Sequence, residues 1–262
     1  MLFNRLHPAS RTTRLAAVAG TALLAIAVTG CQGVTGIQPV TQVRVIDVSP
    51  DAPNLDVYQT PPSQPALSAL YNIGFGTVSS YVAAAPGSYT HAAYTAGTQQ
   101  QLATVHGAFA GGGQYTVLAG NIAADLQMTV LKDQAFPAPT GQVALRFLGE
   151  STRAGAVDLY LLPPGSPLAG MAPIAAGLGF GSNTGYINVP AGTYSIVAYP
   201  AGALPSISSP AFTGSQTAFP ATSARTVLLI DEPPQQPTQQ TDQTSTAHAL
   251  QIITADDYDP AS

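Results

Sequence analysis

The chain has 262 residues, only 8 of them basic and 13 acidic, for a formal net charge of −5. Arg44, Lys132, Arg146, Arg153 and Arg225 stand apart in sequence; phosphate backbones need several clustered cations, so nucleic acid is excluded as a partner. A single cysteine leaves no disulfide to stabilise the fold, and solubility must come from Thr, Ser, Gln, Asn and Gly.

The chain opens on a basic stretch with Arg5, Arg11 and Arg14, and no acid precedes Asp47. From Leu15 to Val28 every residue is apolar or small. On a helix that run reaches about 21 Å, short of a hydrocarbon core about 30 Å thick. The pattern predicts a signal peptide over residues 1–30 rather than a spanning helix. It ends Val28-Thr29-Gly30-Cys31, and Cys31 is the sole cysteine. This resembles the lipobox of bacterial lipoproteins, in which the cysteine thiol receives a diacylglycerol and a peptidase cuts before it. The resemblance implies lipidation at Cys31 and a lipidated tether over residues 31–40. It also implies an exported protein held at the cell membrane or outer membrane. Each buried CH₂ contributes about 0.8 kcal/mol, so two or more acyl chains make a stable anchor. Removal of residues 1–30 leaves five basic residues against thirteen acids, a net charge of −8.

Internal repetition organises the remainder. Ile73-Gly-Phe-Gly-Thr-Val-Ser-Ser-Tyr81 followed by Ala85-Pro-Gly-Ser-Tyr89 recurs as Leu178-Gly-Phe-Gly-Ser-Asn-Thr-Gly-Tyr186 followed by Val189-Pro-Ala-Gly-Thr-Tyr194. Upstream, Leu55-Asp-Val-Tyr58 matches Val157-Asp-Leu-Tyr160; downstream, Gln114–Leu118 resembles Ala224–Leu228. The register predicts a duplicated domain, with copies over residues 41–134 and 141–258 and a Pro-rich linker over 135–140. Strands are expected at 43–48, 56–58, 88–94, 115–118 and 126–131, rich in β-branched and aromatic residues, with counterparts at 143–148, 157–161, 193–199, 226–230 and 250–254. The repeated Pro-Gly turn before Tyr89 and Tyr194 is expected to form a hairpin opening a core strand. Residues 231–247 are polar and Pro-rich and are expected to be a disordered loop. The fold class is therefore all-β: two tandem β-sandwiches of immunoglobulin-like or prealbumin-like outline behind a lipoprotein signal peptide.

The order Val43-Arg-Val-Ile-Asp-Val-Ser-Pro-Asp-Ala-Pro-Asn-Leu-Asp-Val-Tyr58, then a Phe-Gly element, a Tyr and a Gly-Ser/Thr-Tyr turn, resembles the DUF4397 domain of exported bacterial proteins. The sequence departs at Asp47, where that family often carries His. The second copy replaces Ser-Pro-Asp-Ala-Pro with Glu150-Ser-Thr-Arg-Ala-Gly155. The resemblance implies tandem sandwiches at a cell surface and implies no activity.

Three features carry candidate chemistry. Asp47, Asp51 and Asp56 cluster near the start of the first copy and would begin a calcium site, which needs six to eight oxygens. The preferred reading has Asp51 closing a turn and Asp56 and Asp158 capping strand starts, because the spacing matches no calcium loop. Asp256, Asp257 and Asp259 read as a solvated acidic end. His91, His106 and His248 are too scattered for zinc, and no serine sits in a Gly-x-Ser-x-Gly elbow.

No cofactor and no catalytic residue are expected, so the chain does not read as an enzyme. The function expected is a non-catalytic binding or structural role in the envelope, with a polymer, glycan or protein as partner. The rivals are an envelope glycan or peptide hydrolase and a self-assembling surface protein. Cys31→Ser is expected to abolish labelling by a palmitate analogue and to move the protein to an uncut or soluble form; unchanged labelling would refute the anchor.

Overall fold

The protein was described from a computed structural model, which covers residues 39–232 and 250–260. Cys31, with Val28, Thr29 and Gly30, lies outside the described residues, as do His248 and residues 233–249 of the Pro-rich stretch. The described residues all belong to one compact unit.

The first half contains β1 (Thr41–Asp47), β2 (Leu55–Thr60), β3 (Leu67–Ile73), β4 (Val82–Ala84), β5 (Gly87–Thr95), β6 (Gln101–Phe109), β7 (Gln114–Gly120) and β8 (Gln127–Asp133). The second contains β9 (Gln142–Gly149), β10 (Val157–Leu162), β11 (Ala175–Leu178), β12 (Ser182–Pro190), β13 (Gly192–Pro200), β14 (Phe212–Thr213), β15 (Thr217–Phe219), β16 (Ala224–Asp231) and β17 (Leu250–Tyr258). In the first half the sheets run β4-β1-β7-β8 and β3-β2-β5-β6; in the second they run β12-β9-β16-β17 and β11-β10-β13-β14, with β15 also on β13. Strand order in the two halves therefore corresponds, down to the parallel pairs β1–β7 and β9–β16. The fold is all-β, as composition and strand spacing imply.

Alternation decides what each strand buries. On β1, Val43 and Val45 face β2, β5 and β6, where they meet Leu55, Val57, Tyr89, Ala93 and Phe109. On β9, Val143, Leu145 and Phe147 do the same against Val157, Leu159, Ile196 and Ala198. The opposite faces of the inner sheets meet each other: Ile46, Val48 and Leu118 pack with Leu148, Leu228, Ile230 and Ala255. The result is four stacked sheets. The two sandwiches share a third, central core, so both faces of the inner strands are buried. Strands covered on both faces read as continuous apolar runs, as β16 does.

The Pro-Gly turns do not form hairpins. β4 pairs with β1 in the inner sheet, whereas β5 lies in the outer one; β12 and β13 are divided in the same way. Each turn lifts the chain from inner to outer sheet, and the tyrosine hydroxyl fixes the corner. Tyr89 donates to the Ala85 carbonyl at 2.8 Å and Tyr194 to that of Pro190 at 2.8 Å. The linker is pinned as well: Ala138 is buried and its N–H reaches Thr222. Asp231, expected in the disordered loop, is instead the last residue of β16 and buried. Its carboxylate holds the 151–153 turn through Ser151, the Thr152 N–H and hydroxyl, and the Arg153 N–H. These hydrogen bonds outweigh its burial and hold its pKa below the usual carboxylate value.

One polar group crosses the central core. Arg44, Asp133, Arg146 and Asp257 are each at most 3% exposed. Arg44 donates to Thr116 Oγ1 at 2.9 Å and ion-pairs with Asp257 of the other half. Arg146 donates to Thr226 Oγ1 at 3.0 Å and pairs with Asp133 of the first half at 2.6 Å. Thr116 donates to Asp133 at 2.6 Å and Thr226 to Asp257 at 2.7 Å. Tyr81 and Tyr186 complete the set, each donating to the carboxylate of its own half at 2.8 Å, with the arginines 4.7 and 4.8 Å over their rings. Burial and the adjoining carboxylates push both phenols far above their ordinary range, so they act as donors. The acidic C-terminal run is thus not wholly solvated: Asp257 is a core residue.

Removing one member strands a charge in a dry interface, which typically costs 3–5 kcal/mol. Arg146→Ala is therefore expected to lose about 3–5 kcal/mol in urea unfolding. Arg153→Ala removes a pair in which the arginine side chain is 36% exposed and should lose less than about 1 kcal/mol.

Candidate functional site

The three aspartates proposed for a metal do not form a metal-binding group among the described residues. Asp51 sits in the turn at 50–51, and its carboxylate accepts the distant Ala123 N–H at 2.8 Å. Asp56 does not merely cap a strand. One oxygen accepts the Asn72 N–H and the other that of Gly97, which ties two loops together. Asp158 does the same in the second half with Gly177 and Gly202. All four of those glycine or asparagine anchors have positive φ, which suits Gly and Asn.

Asp47 is fully enclosed. One oxygen accepts the Ser49 N–H, and the other has no partner. Desolvation raises its pKa to about 7, partly offset by the Ser49 hydrogen bond. His91 is buried between Tyr89 and Phe109 with neither ring nitrogen hydrogen-bonded, and desolvation lowers its pKa to about 4. Both are core groups held neutral by burial, not groups presented to a substrate.

What the structure does present is an aromatic face. On β2, β3 and β5, inward Val57, Leu70 and Ala93 alternate with outward Tyr58, Tyr71 and Tyr94. The three rings meet edge to face: Tyr58 lies 6.1 Å from Tyr71 and 5.4 Å from Tyr94, at 88° and 87°. Tyr71 is 66% exposed. Tyr94 donates to Gln101 at 3.0 Å, and Thr90 is 2.8 Å from His106 across the same sheet. The face runs on into a shallow groove of about 480 Å³ bounded by Pro62, Thr90 and His106. Strands β2, β3, β5 and β6 contain no lysine or arginine, and their one acid, Asp56, is bound to backbone.

The second half holds the equivalent pair, Tyr160 and Tyr199, 6.0 Å apart and at 87°. There the rings are only 4% and 6% exposed, covered by Leu168, Met171 and Ala203 from the loops after β10 and β13. One aromatic face is bare and its counterpart is roofed. The sequence shows the tyrosines of both; it does not show the roof.

The architecture defines the protein as an all-β chain of paired sandwiches. Residues 41–160 match the domain of unknown function DUF4397, and the match runs from β1 through the linker to Tyr160 in β10. A comparison with curated proteins gives no match. Among solved structures the chain is similar to CBMbc (family CBM26) from Eubacterium rectale Amy13K, in complex with maltoheptaose. Identity is 10%, covering 84% of this chain and 98% of that one, with a TM-score of 0.24. A superposition of that quality assigns neither a common topology nor a ligand to this chain.

The opposed shifts of Asp47 and His91 give stability a readable pH dependence. Between about pH 4 and 7 the folded state holds a proton on Asp47 that the unfolded state has released, so this group's contribution falls as pH rises. His91 works the other way: from about pH 6.5 down to 4 the unfolded state takes a proton the folded state refuses. Asp47→Asn should therefore gain on the wild type as pH rises from 4 to 7. The gain should level off above 7 on the order of 2–4 kcal/mol, measured by urea unfolding at a series of pH values.

Proposed function

We propose that this is a lipid-anchored, non-catalytic binding protein of the bacterial envelope, and that its ligand is a neutral glycan laid across Tyr58, Tyr71 and Tyr94. The uncovered tyrosine face carries this reading. Aromatic rings offer large apolar area at little conformational cost, with a hydroxyl at the edge for hydrogen bonding. The apolar faces of sugar rings match such surfaces, and Gln101, Thr90 and His106 supply polar partners beside them. The absence of cations from these strands argues against an anionic polymer as ligand. A rigid sheet, rather than a loop, holds the rings, so little ordering entropy is lost on binding.

Lipidation at Cys31 would place this face outside the cytoplasm, behind the short tether of residues 31–40. We read the corresponding strand orders as an internal duplication in which the first copy kept its aromatic face open and the second covered it. The hydrolase alternative loses support from its own candidate acids. Asp56 and Asp158 are bound to loop amides, and Asp47 is sealed in the core.

Affinity electrophoresis of the protein through gels containing neutral polysaccharides tests the proposal. Retardation by at least one neutral polymer is expected, and Tyr71→Ala should weaken it roughly tenfold, the loss of about 1–3 kcal/mol of ring contact. Tyr199→Phe, in the roofed pair, should leave retardation unchanged. Retardation equal in wild type and Tyr71→Ala would remove the tyrosine face from the function.

A further inference from the structure

A second site lies where the two halves meet, and internal comparison reveals it. Val48 follows β1 and Glu150 follows β9 in the same way: the Val48 N–H reaches the Ala119 carbonyl at 2.8 Å, and the Glu150 N–H reaches that of Leu229 at 2.8 Å. The neighbouring turns correspond too, with Gly76 N–H on the Asp47 carbonyl and Gly181 N–H on that of Gly149. Ser79 and Thr184 hold the next step, their hydroxyls accepting from Val45 and Phe147 at 2.9 Å. The two ends of the central core can therefore be compared residue by residue.

At one end the space is filled. Val48, Ile230, Ile253 and Val78 pack into the central core. At the other end the same four positions are Glu150, Gly120, Thr129 and Asn183, and a cavity of about 230 Å³ opens among them. Leu118, Leu131 and Leu148 wall it, and Phe180, 43% exposed, stands at its mouth. At ~30 Å³ per water the space corresponds to roughly eight solvent molecules.

Glu150 is the charged group of this cavity. It is 8% exposed, and its carboxylate has no hydrogen-bond partner among the described residues. Gly120 makes room for it: a Cβ there would sit 3.1 Å from Glu150 Oε2. Burial alone raises the glutamate pKa to about 7, the signature of a carboxylate lacking the partner that would hold its charge. Four coordinated replacements that hollow a packed core around an unpaired acid cost stability; a ligand would recover it.

We propose that the cavity between Glu150 and Phe180 binds a small organic cation, an ammonium group on a short apolar chain, with the ammonium on the Glu150 carboxylate and the chain along Leu118, Leu131 and Leu148. A metal ion is a poor occupant: Glu150 is the one carboxylate of a lining whose other polar side chains are the neutral Gln127, Thr129, Ser182 and Asn183, and no group of three His, Cys, Asp or Glu gathers there among the described residues. An anion would meet the carboxylate with like charge. A mouth lined by Phe180 and Asn183 suits an apolar stem with a polar far end.

Methyl NMR of the full-length protein in detergent micelles, titrated with butylammonium chloride, tests this. Saturable shifts at the Leu118 and Leu148 methyls are expected, with no such shifts from butyrate and at least tenfold weaker ones from 1-butanol. Glu150→Gln should weaken butylammonium at least tenfold, as should Gly120→Ala, which fills the space beside Oε2. Tyr71→Ala should leave it unchanged, which separates this site from the tyrosine face. No saturable shift, equal affinity for Glu150→Gln, or equal affinity for 1-butanol would overturn the proposal.

Discussion

The exchange of ion pairs between the two sandwiches is the constraint on which the rest of the architecture depends. Arg44 reaches Asp257 and Arg146 reaches Asp133, so each half neutralises the other. Taking four charges out of water is expensive, and Coulomb attraction offsets it only with good geometry and every lone pair used. Here Thr116, Thr226, Tyr81 and Tyr186 supply the missing hydrogen bonds. The gain is in arrangement more than in energy. A one-residue slip of either inner sheet would set guanidinium against leucine, because alternate residues on β1 and β9 face opposite layers. The network thereby fixes how the inner sheets meet, and that meeting creates the cavity at Glu150.

The same layering explains why the outer faces are free to differ. Both faces of an inner sheet are buried, so its residues are constrained twice. An outer sheet buries only one face, and the other tolerates change. The tyrosine pairs show the consequence. Tyr58 with Tyr94 and Tyr160 with Tyr199 keep nearly the same perpendicular geometry, yet a loop of Pro, Gly and Leu closes over the second pair only. The two halves thus present different surfaces on one scaffold, and the proposed ligand face belongs to the half without the loop.

Much of the fold was legible because β-branched and aromatic runs mark the strands that enter two cores. β1, β5, β9 and β16 were placed to within a residue or two. β6, β12 and β3 were not seen, since Gly107 interrupts Gln-Leu-Ala-Thr-Val-His-Gly-Ala-Phe, and Gly185 and Pro190 punctuate Ser-Asn-Thr-Gly-Tyr-Ile-Asn-Val-Pro, although the latter has as much β-branched and aromatic character as β5. The Pro-Gly-Tyr turns were recognised, but local sequence does not say which sheet the next strand joins. The charged network was hidden because its members lie up to 213 residues apart. A signal did exist: Arg44 and Arg146 interrupt otherwise apolar strands at matching places, as do Thr116 and Thr226. The tyrosine face is not legible in the sequence, because outward Tyr58, Tyr71 and Tyr94 come from three strands and look locally like Tyr89 and Tyr194, which fix corners. Glu150 stood in the sequence as a departure from the Ser-Pro-Asp-Ala-Pro pattern, without any indication that it opens a cavity.

The separation between Arg44 and Asp257 has a bearing on how the chain is made. Arg44 lies in the first strand and its carboxylate partner in the last. Residues emerge from the ribosome in order, so the first sandwich is complete while its arginine has Asp133, 3.8 Å away, as its counter-charge and still lacks the nearer Asp257. A product that stops short of β17 keeps a guanidinium without its nearer carboxylate and an uncovered apolar sheet face. A chain cut before β17 thus exposes apolar surface of the central core that Ile253 and Ala255 otherwise cover.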